Sequence, residues 1–150
     1  MTTTTPATTA PAKVLYTGRT HTTGGRDGAT RSSDGFVDLK LAPPNGPHPA
    51  AENLFAAAWS ACYIAAIEHA AAGRKITLAG SPAVDAQIDL NQATSSGGGA
   101  GGSFFLKASM KVSVPGVDRE VAQELAEAAH GICPYSKAVH GNIEVSTTVI

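Results

Sequence analysis

The sequence predicts an α+β fold, with antiparallel sheets arranged around a long buried central helix. The predicted elements follow the order of three strands, a helix, two strands, a second helix and a final strand. Most of these strands are joined by turns short enough for hairpins, which favours antiparallel pairing over the alternating helices and strands of a parallel sheet. The first helix is apolar on every face, which indicates that it is buried on all sides.

The N-terminal part of the chain is predicted to hold an arm and three short strands. Residues 1–12 are expected to be a disordered arm, because Thr, Pro and Ala offer too little apolar surface to order it. Residues 13–150 then make up a single domain. Its first strands are predicted over residues 13–21, 29–33 and 36–41, and the GGRDG turn of residues 24–28 joins the first two.

The central helix is predicted within residues 48–74, where no charged residue lies between Glu52 and Glu68. Ala dominates the segment and is the strongest helix former, because its side chain loses no entropy on folding. Pro49 suits the first turn, and Gly73 suits the position just past the end. A membrane-spanning helix needs about 20 predominantly apolar residues. This segment is shorter and rich in Ala, so we expect a core helix and no membrane partner.

The second half of the chain is predicted to add two strands, a helix and a last strand. The two strands, 83–90 and 103–114, flank a Gly-rich hairpin loop at residues 91–102. Asp118 can cap an amphipathic helix over residues 119–130, and Gly131 ends it. A short turn then begins at Cys133, and residues 142–150 form the final strand.

Composition excludes one class of partner and favours one compartment. A net charge of −1 and few aromatic residues leave no basic or stacking surface for nucleic acid. The N-terminal residues lack the basic front and apolar centre of a secretory signal, so a cytoplasmic location is expected. Thiols stay reduced there, so two cysteines in that compartment suggest redox chemistry or metal binding rather than a structural disulfide.

The two cysteines are the first candidates for chemistry. Cys62 lies in the middle of the central helix, and Cys133 follows the second helix. They are too far apart in sequence for a local zinc knuckle, but they meet if the central helix packs against the loop that carries Cys133. The alternative is that both thiols are inert packing, because a free cysteine in a buried helix behaves as a small apolar residue.

Arg26 and Glu52 are the candidates that could activate a thiol. A reactive thiol needs a nearby cation, and the glycines around Arg26 allow its turn to lie against another element. Glu52 could hold that arginine by a bidentate pair. If residues 52–62 form one helix, Glu52 lies about 15 Å from Cys62 along its axis, so it must fold back or belong to a second copy of the chain. The alternatives are a solvated turn arginine and a glutamate that favours the helix dipole.

A zinc site is a further alternative. His130, Cys133 and His140 are close in sequence, and three protein ligands with one water form a catalytic zinc pattern. Their spacing matches no ligand motif, so the leading interpretation includes no metal.

Four stretches together resemble the organic hydroperoxide resistance branch of the OsmC/Ohr family. They are VLYTGRTHTTGGRDG (14–28), SSDGFVDLKL (32–41), ENLFAAAWSACY (52–63) and ICPYSKAVHGNIEV (132–145). The resemblance implies an OsmC/Ohr-like fold in an intertwined homodimer, with both active sites at the subunit interface. It also implies that Cys62 is the peroxidatic thiol, Cys133 the resolving thiol, Arg26 the activating cation and Glu52 its partner. One departure is that His48-Pro49-Ala50-Ala51 stands where the family has Asn-Pro before this glutamate.

The resemblance further implies a thiol peroxidase that reduces organic hydroperoxides and binds no cofactor. Its external reductant would be dihydrolipoamide, carried on lipoylated proteins. An apolar lining from Leu54, Phe55, Ile64 and Tyr135 is expected to favour alkyl and lipid hydroperoxides. The alternatives are a redox sensor or hydrophobic-ligand binder without turnover, and the zinc hydrolase.

Overall fold

The structure is a computed structural model that describes residues 12–93 and 104–150. It contains helices and strands in the mixed order that an α+β fold requires. The elements are β1 (Thr20–Thr23), β2 (Ala29–Ser32), β3 (Asp38–Lys40), α1 (Ala51–Gly73), β4 (Ala83–Gln92), β5 (Phe104–Ser113), α2 (Arg119–Ile132), α3 (Pro134–Val139) and β6 (Glu144–Val149), with a 3-10 turn at Gly25–Asp27. The predicted arm, apart from Ala12, and residues 94–102 of the predicted loop lie outside the described residues.

The strands form two three-stranded sheets. In the first, β1, β2 and β3 are adjacent and antiparallel, as the hairpin turns predict. In the second, β4 pairs with β5 antiparallel, but β5 pairs with β6 parallel. The prediction of wholly antiparallel sheets is therefore wrong for β6. The reason is that α2 and α3 lie between β5 and β6 in sequence, and a strand that returns after such a crossover can enter parallel.

The first strand begins later than predicted. Residues 13–19 form no strand in this chain, and Val14, Leu15 and Tyr16 are 78–88% exposed. An extended apolar segment forms a strand only when another backbone supplies hydrogen-bond partners. Within the described chain, no strand pairs with this segment.

The helix predicted within residues 48–74 is present, but it begins after Pro49. Ala50 is the N-cap, and its backbone N–H donates to Asn53 Oδ1 at 3.0 Å. In return, the Asn53 backbone N–H donates to the Ala50 carbonyl at 3.0 Å. Gly73 is the last helical residue and Arg74 is the C-cap. The second helix runs through Gly131 to Ile132, so this glycine does not end it.

One face of α1 forms the core with α2 and the second sheet. The buried face carries Trp59, Tyr63, Ala66, Ile67, Ala70 and Ala71. Tyr63 is fully buried, and its hydroxyl donates to the Ala126 carbonyl of α2 at 2.7 Å. This bond satisfies a polar group that would be costly to bury alone.

The opposite face of α1 is apolar and uncovered in the single chain. Ala57, Ala58, Ala61 and Ala65 are exposed there. The prediction of a helix buried on all sides is thus met on one face only. Within the described residues, α1 is the helix whose length and mean hydropathy of 1.3 would suffice to cross a membrane, a property that core helices share.

Candidate active site

The two cysteines meet where α1 packs against the joint between α2 and α3. Cys133 Sγ lies 2.9 Å from Cys62 Sγ, and both are free thiols. Cys62 is half-buried and Cys133 is fully buried. A disulfide requires a sulfur–sulfur distance of about 2.05 Å, so a small approach of the two side chains is enough to form one.

The chain places Cys133 through the start of α3. Cys133 is the N-cap of this helix, and Pro134 takes the first helical position, where its fixed φ suits the turn. The Ser136 backbone N–H donates to Cys133 Sγ at 3.4 Å. The local sequence CPYS therefore determines which way the buried thiol points.

The surroundings of Cys62 in the single chain favour the protonated thiol. Burial raises the pKa of Cys62, and the hydrogen bond shared with Cys133 raises it further. The Tyr135 backbone N–H favours the thiolate and acts in the opposite direction. Within the described residues, the groups that shift the Cys62 pKa include no cation. A low-pKa thiolate thus requires a positive charge from elsewhere.

Arg26 and Glu52 form a bidentate ion pair. Arg26 Nη1 donates to Glu52 Oε2 at 2.9 Å, and Arg26 Nη2 lies 2.6 Å from Glu52 Oε1. The hydrogen bond from Arg26 lowers the pKa of the Glu52 carboxyl, and the carboxylate in turn raises the pKa of Arg26. The Arg26 side chain remains about half exposed (48%), so its charge is available to a further partner.

The ion pair and the cysteines lie in different parts of the single chain. Glu52 is in the first turn of α1, and Cys62 is in the same helix. Ten residues of α-helix rise about 15 Å. The chain therefore holds its candidate residues in two separate groups, a thiol pair at mid-helix and an arginine–glutamate pair at the helix start.

An apolar cavity of about 320 Å³ adjoins the arginine–glutamate pair. Of the predicted substrate-binding residues, Phe55 lines it, whereas Leu54, Ile64 and Tyr135 do not line it in the single chain. Sequence reasoning missed the residues that β4 and β5 contribute. The lining consists of Arg26, Ala51, Glu52, Phe55, Leu90, Phe104, Phe105 and Leu106. The signal was Phe104-Phe105, since adjacent strand residues point to opposite faces and one of the two rings must leave the core.

A buried polar cluster next to the thiol pair was also missed. Trp59 Nε1 donates to Ser136 Oγ at 2.9 Å, and His130 Nδ1 lies 3.0 Å from the same oxygen. Burial lowers the pKa of His130 to about 4, helped by the nearby His140 ring. A buried tryptophan needs an acceptor for its N–H, and a serine in the CPYS stretch is a suitable one.

The zinc alternative gains no support from this geometry. Both ring nitrogens of His130 face hydroxyl groups, those of Ser136 and Thr147, and the Cys133 sulfur faces Cys62. In the described part of the chain, no three side chains of His, Cys, Asp or Glu are grouped so as to hold a metal ion.

Comparison with known sequences shows a clear family relationship. A model of the OsmC-like protein family matches residues 44–148. The organic hydroperoxide resistance protein of Xanthomonas axonopodis pv. citri is 38% identical over 148 residues, which cover 93% of this chain and 98% of that protein. The organic hydroperoxide resistance protein OhrB of Bacillus subtilis is 38% identical over 138 residues, which cover 87% and 95%.

Comparison with solved structures gives the same fold. The crystal structure of Bacillus subtilis OhrB superposes with a TM-score of 0.81 at 35% identity, covering 91% of this chain and all of that one (100%). The chain thus has the fold of that structure.

Proposed function

We propose that this chain, which belongs to the OsmC-like protein family and to its organic hydroperoxide resistance branch, is a thiol peroxidase that reduces organic hydroperoxides to alcohols. The single observation that carries the proposal is the 2.9 Å approach of the Cys62 and Cys133 sulfurs. The chain has only two cysteines, and cysteines that served only as packing would not need to contact each other. The names of the relatives support the substrate class.

The proposed reaction has two steps on the protein. The Cys62 thiolate attacks one oxygen of the hydroperoxide, the O–O bond breaks, and the alkoxide takes a proton and leaves as the alcohol. Cys62 becomes a sulfenic acid. The Cys133 thiol then attacks the oxidised sulfur, and water leaves as the disulfide forms. Arg26, held by Glu52, would stabilise both the thiolate and the charge that develops on the peroxide oxygen.

Recycling requires an external dithiol, and we propose a dihydrolipoyl group carried on a lipoylated protein. It would reduce the Cys62–Cys133 disulfide by two exchange steps and become a cyclic disulfide itself. Family resemblance supports this reductant. A cytoplasmic location, where reduced thiols persist, belongs to the same proposal.

We further propose that the working protein is a homodimer in which each site combines both chains. Two observations support this. The exposed Ala face of α1 and the exposed residues Val14–Tyr16 are apolar surfaces of the kind that a second chain covers. The roughly 15 Å rise between Glu52 and Cys62 keeps the arginine–glutamate pair of one chain from its own thiol. A second copy can supply that pair.

The dimer can be tested on the uncovered face of α1. Ala61→Lys places a charge in the middle of this face and is expected to yield a monomer with little peroxidase activity. Ala72→Lys makes the same change at another exposed Ala of α1, beyond Glu68 and His69, and should leave a dimer. Sedimentation velocity distinguishes the two outcomes. A dimeric, active Ala61→Lys variant would place the subunit contact elsewhere.

The substrate class follows from the cavity beside Arg26. Its side chains are apolar apart from the ion pair, and two of its aromatic residues, Phe104 and Phe105, are partly exposed. A hydroperoxide with an alkyl chain would place its polar end at Arg26 and bury its chain against these rings. Hydrogen peroxide gains nothing from such a lining, so alkyl hydroperoxides should react with a higher kcat/KM.

The test of the peroxidase is a mass measurement on the reduced protein after addition of one equivalent of an alkyl hydroperoxide. We expect a loss of two hydrogens and a linked pair of Cys62 and Cys133 peptides. Cys62→Ser should abolish peroxide consumption. Cys133→Ser should consume peroxide and then over-oxidise at Cys62. An unchanged mass in the unsubstituted protein would contradict the proposal.

One observation favours a second function, a redox sensor without turnover. Burial raises the pKa of Cys62, and a thiol that is slow to ionise reacts slowly with peroxide. Steady turnover with dihydrolipoamide separates the two functions, because a sensor would be oxidised once and would not cycle.

A further inference from the structure

Three side chains that take no part in the proposed chemistry surround the joint that carries Cys133. They are Trp59 on α1, His130 on α2 and Ser136 on α3. Ser136 is fully buried, and its hydroxyl oxygen lies 2.9 Å from Trp59 Nε1 and 3.0 Å from His130 Nδ1. Ser136 is therefore the point at which all three helices are connected.

The contacts of Ser136 run beside the contact between the two thiols. Trp59 precedes Cys62 by three residues on α1, and Ser136 follows Cys133 by three residues along α3. Positions three apart on a helix are neighbours on one face. The Trp59–Ser136 hydrogen bond and the Cys62–Cys133 contact thus connect α1 to α3 side by side, one helical turn apart. A shift of α3 that breaks one of them also lengthens the other.

His130 connects α2 to α3 across the Cys133 joint. Cys133 separates the two helices, and its backbone is extended there. The His130–Ser136 contact spans this joint, and His130 Nε2 reaches Thr147 Oγ1 on β6 at 2.9 Å. The backbone angle at Cys133 is consequently held by side chains on both sides of it.

The donors and acceptors available to these three side chains determine the direction of each hydrogen bond in the cluster. An indole N–H only donates, so Ser136 Oγ accepts from Trp59. The Ser136 hydroxyl proton then needs an acceptor, and His130 Nδ1, at 3.0 Å, is the one that the described residues offer. His130 carries its proton on Nε2 and donates to Thr147. Removal of the Ser136 hydroxyl takes this partner from the fully buried Trp59 N–H and from His130 Nδ1.

We propose that Ser136, held by Trp59 and His130, is a positioning residue that keeps the Cys133 thiol against Cys62 for disulfide formation. The inference rests on the peroxidase function proposed above and adds to it. In that reaction, Cys133 must attack the Cys62 sulfenic acid before a second hydroperoxide converts it to a sulfinic acid, which is not reversible by thiols. A thiol held near its target reacts as if at high local concentration.

The experiment measures that local concentration without peroxide. The protein is equilibrated with mixtures of reduced and oxidised glutathione, and the Cys62–Cys133 disulfide is quantified by alkylation and mass. The matched control is Thr148→Ala, which removes a hydroxyl from an exposed residue beside Thr147. We expect Ser136→Ala to lower the effective concentration of the thiol pair by about tenfold or more, because small displacements have large effects on intramolecular reactions. The control should match the unsubstituted protein.

A second pair of variants covers the case in which Ser136→Ala fails to fold. His130 is only half-buried, so it should tolerate substitution. His130→Ala removes the acceptor for Ser136 and should lower the effective concentration. His130→Asn keeps an amide group near the position of Nδ1 and should restore most of it. A merely structural role would lower the melting temperature of these variants and leave the effective concentration unchanged, and that result overturns the proposal.

The positioning role and the peroxidase can fail separately. The glutathione experiment involves no peroxide, so it reports the placement of Cys133 whether or not the protein is a peroxidase. With a hydroperoxide, Ser136→Ala should consume the first equivalent as fast as the unsubstituted protein and accumulate more Cys62 sulfinic acid. Equal sulfinic acid in the two proteins would contradict the proposal. An unsubstituted protein that ignores peroxide would instead refute the proposed function.

Discussion

At the scale of single residues, the pKa of Cys62 depends on groups that the chain places far from it in sequence. Burial raises its pKa, and the Tyr135 backbone N–H only partly opposes this effect. A thiol in that state is a poor nucleophile at neutral pH. The charge that could change this is carried by Arg26, which Glu52 orients through two hydrogen bonds.

Replacement of Arg26 should therefore act on the thiol itself. In a Cys133→Ser background, so that one thiol titrates, Arg26→Ala is expected to raise the Cys62 pKa by about one to two units, because it removes an opposite charge. The pH dependence of the alkylation rate measures this shift. Arg31→Ala is the matched control, since Arg31 lies on β2 and pairs with Asp38 on the adjacent strand β3. An unchanged pKa would mean that another cation activates Cys62.

His130 should make the protein sensitive to mild acid. Its folded-state pKa is lowered to about 4 from an ordinary value of 6.5. Between these values the unfolded chain binds a proton at His130 and the folded chain does not. The free energy of unfolding is therefore unaffected by His130 above pH 6.5, and it falls as the pH drops toward 4. Thermal unfolding from pH 7 to 4.5 measures the decline. His130→Asn should flatten it over this range, and a parallel decline in both proteins would assign it to other groups.

At the scale of elements, short turns and helix ends carry more of the candidate site residues than the helix centres do. Arg26 lies in a 3-10 turn, Glu52 in the first turn of α1, and Cys133 at the start of α3. Gly28 closes the Arg26 turn, and a Cβ at this position would lie only 1.8 Å from the Thr23 carbonyl oxygen. The loop that carries Arg26 (residues 24–28, the arginine loop) thus requires a glycine at position 28, because any side chain there would clash with Thr23.

Gly28→Ala should displace the arginine loop without harming the thiol pair. We expect kcat/KM for an alkyl hydroperoxide to fall by about tenfold to a hundredfold, the scale for loss of a charge-stabilising donor. Diamide should still form the Cys62–Cys133 disulfide. Gly73→Ala is the control, because a Cβ there meets no atom within 4 Å. Full activity in Gly28→Ala would separate the loop from catalysis.

At the scale of the whole molecule, two features of the single chain support the homodimer proposed above. The chain holds the two groups of candidate residues apart along α1, and it leaves the apolar face of that helix uncovered. A symmetric dimer would cover the apolar α1 face of each chain and would complete both active sites.

Complementation tests whether each site spans two chains. Cys62→Ser and Arg26→Ala are each expected to be nearly inactive alone. After subunit exchange at equal amounts, half of the dimers are mixed and each has one intact site, so activity should recover to about a quarter of that of the unsubstituted protein. Peroxide consumption after mixing measures it. No recovery, with exchange demonstrated by mass, would place Arg26 and Cys62 of one site on the same chain.

The sequence by itself determined the features that depend on local chemistry. The α1 helix, the GGRDG turn and the β4–β5 hairpin follow from Ala content, glycine placement and alternation, which act over a few residues. The four family stretches were sufficient to identify the branch, and the comparisons confirm it. Cys62 and Cys133 could be selected because they are the two cysteines of the chain.

The tertiary structure alone decided how distant segments meet. Nothing in residues 142–150 reveals that β6 pairs parallel with β5, because that pairing depends on how α2 and α3 cross the sheet. The Trp59–Ser136–His130 cluster likewise arises from the packing of three helices. Side chains far apart in sequence share one buried polar site, and a pattern read along the chain carries no record of that contact.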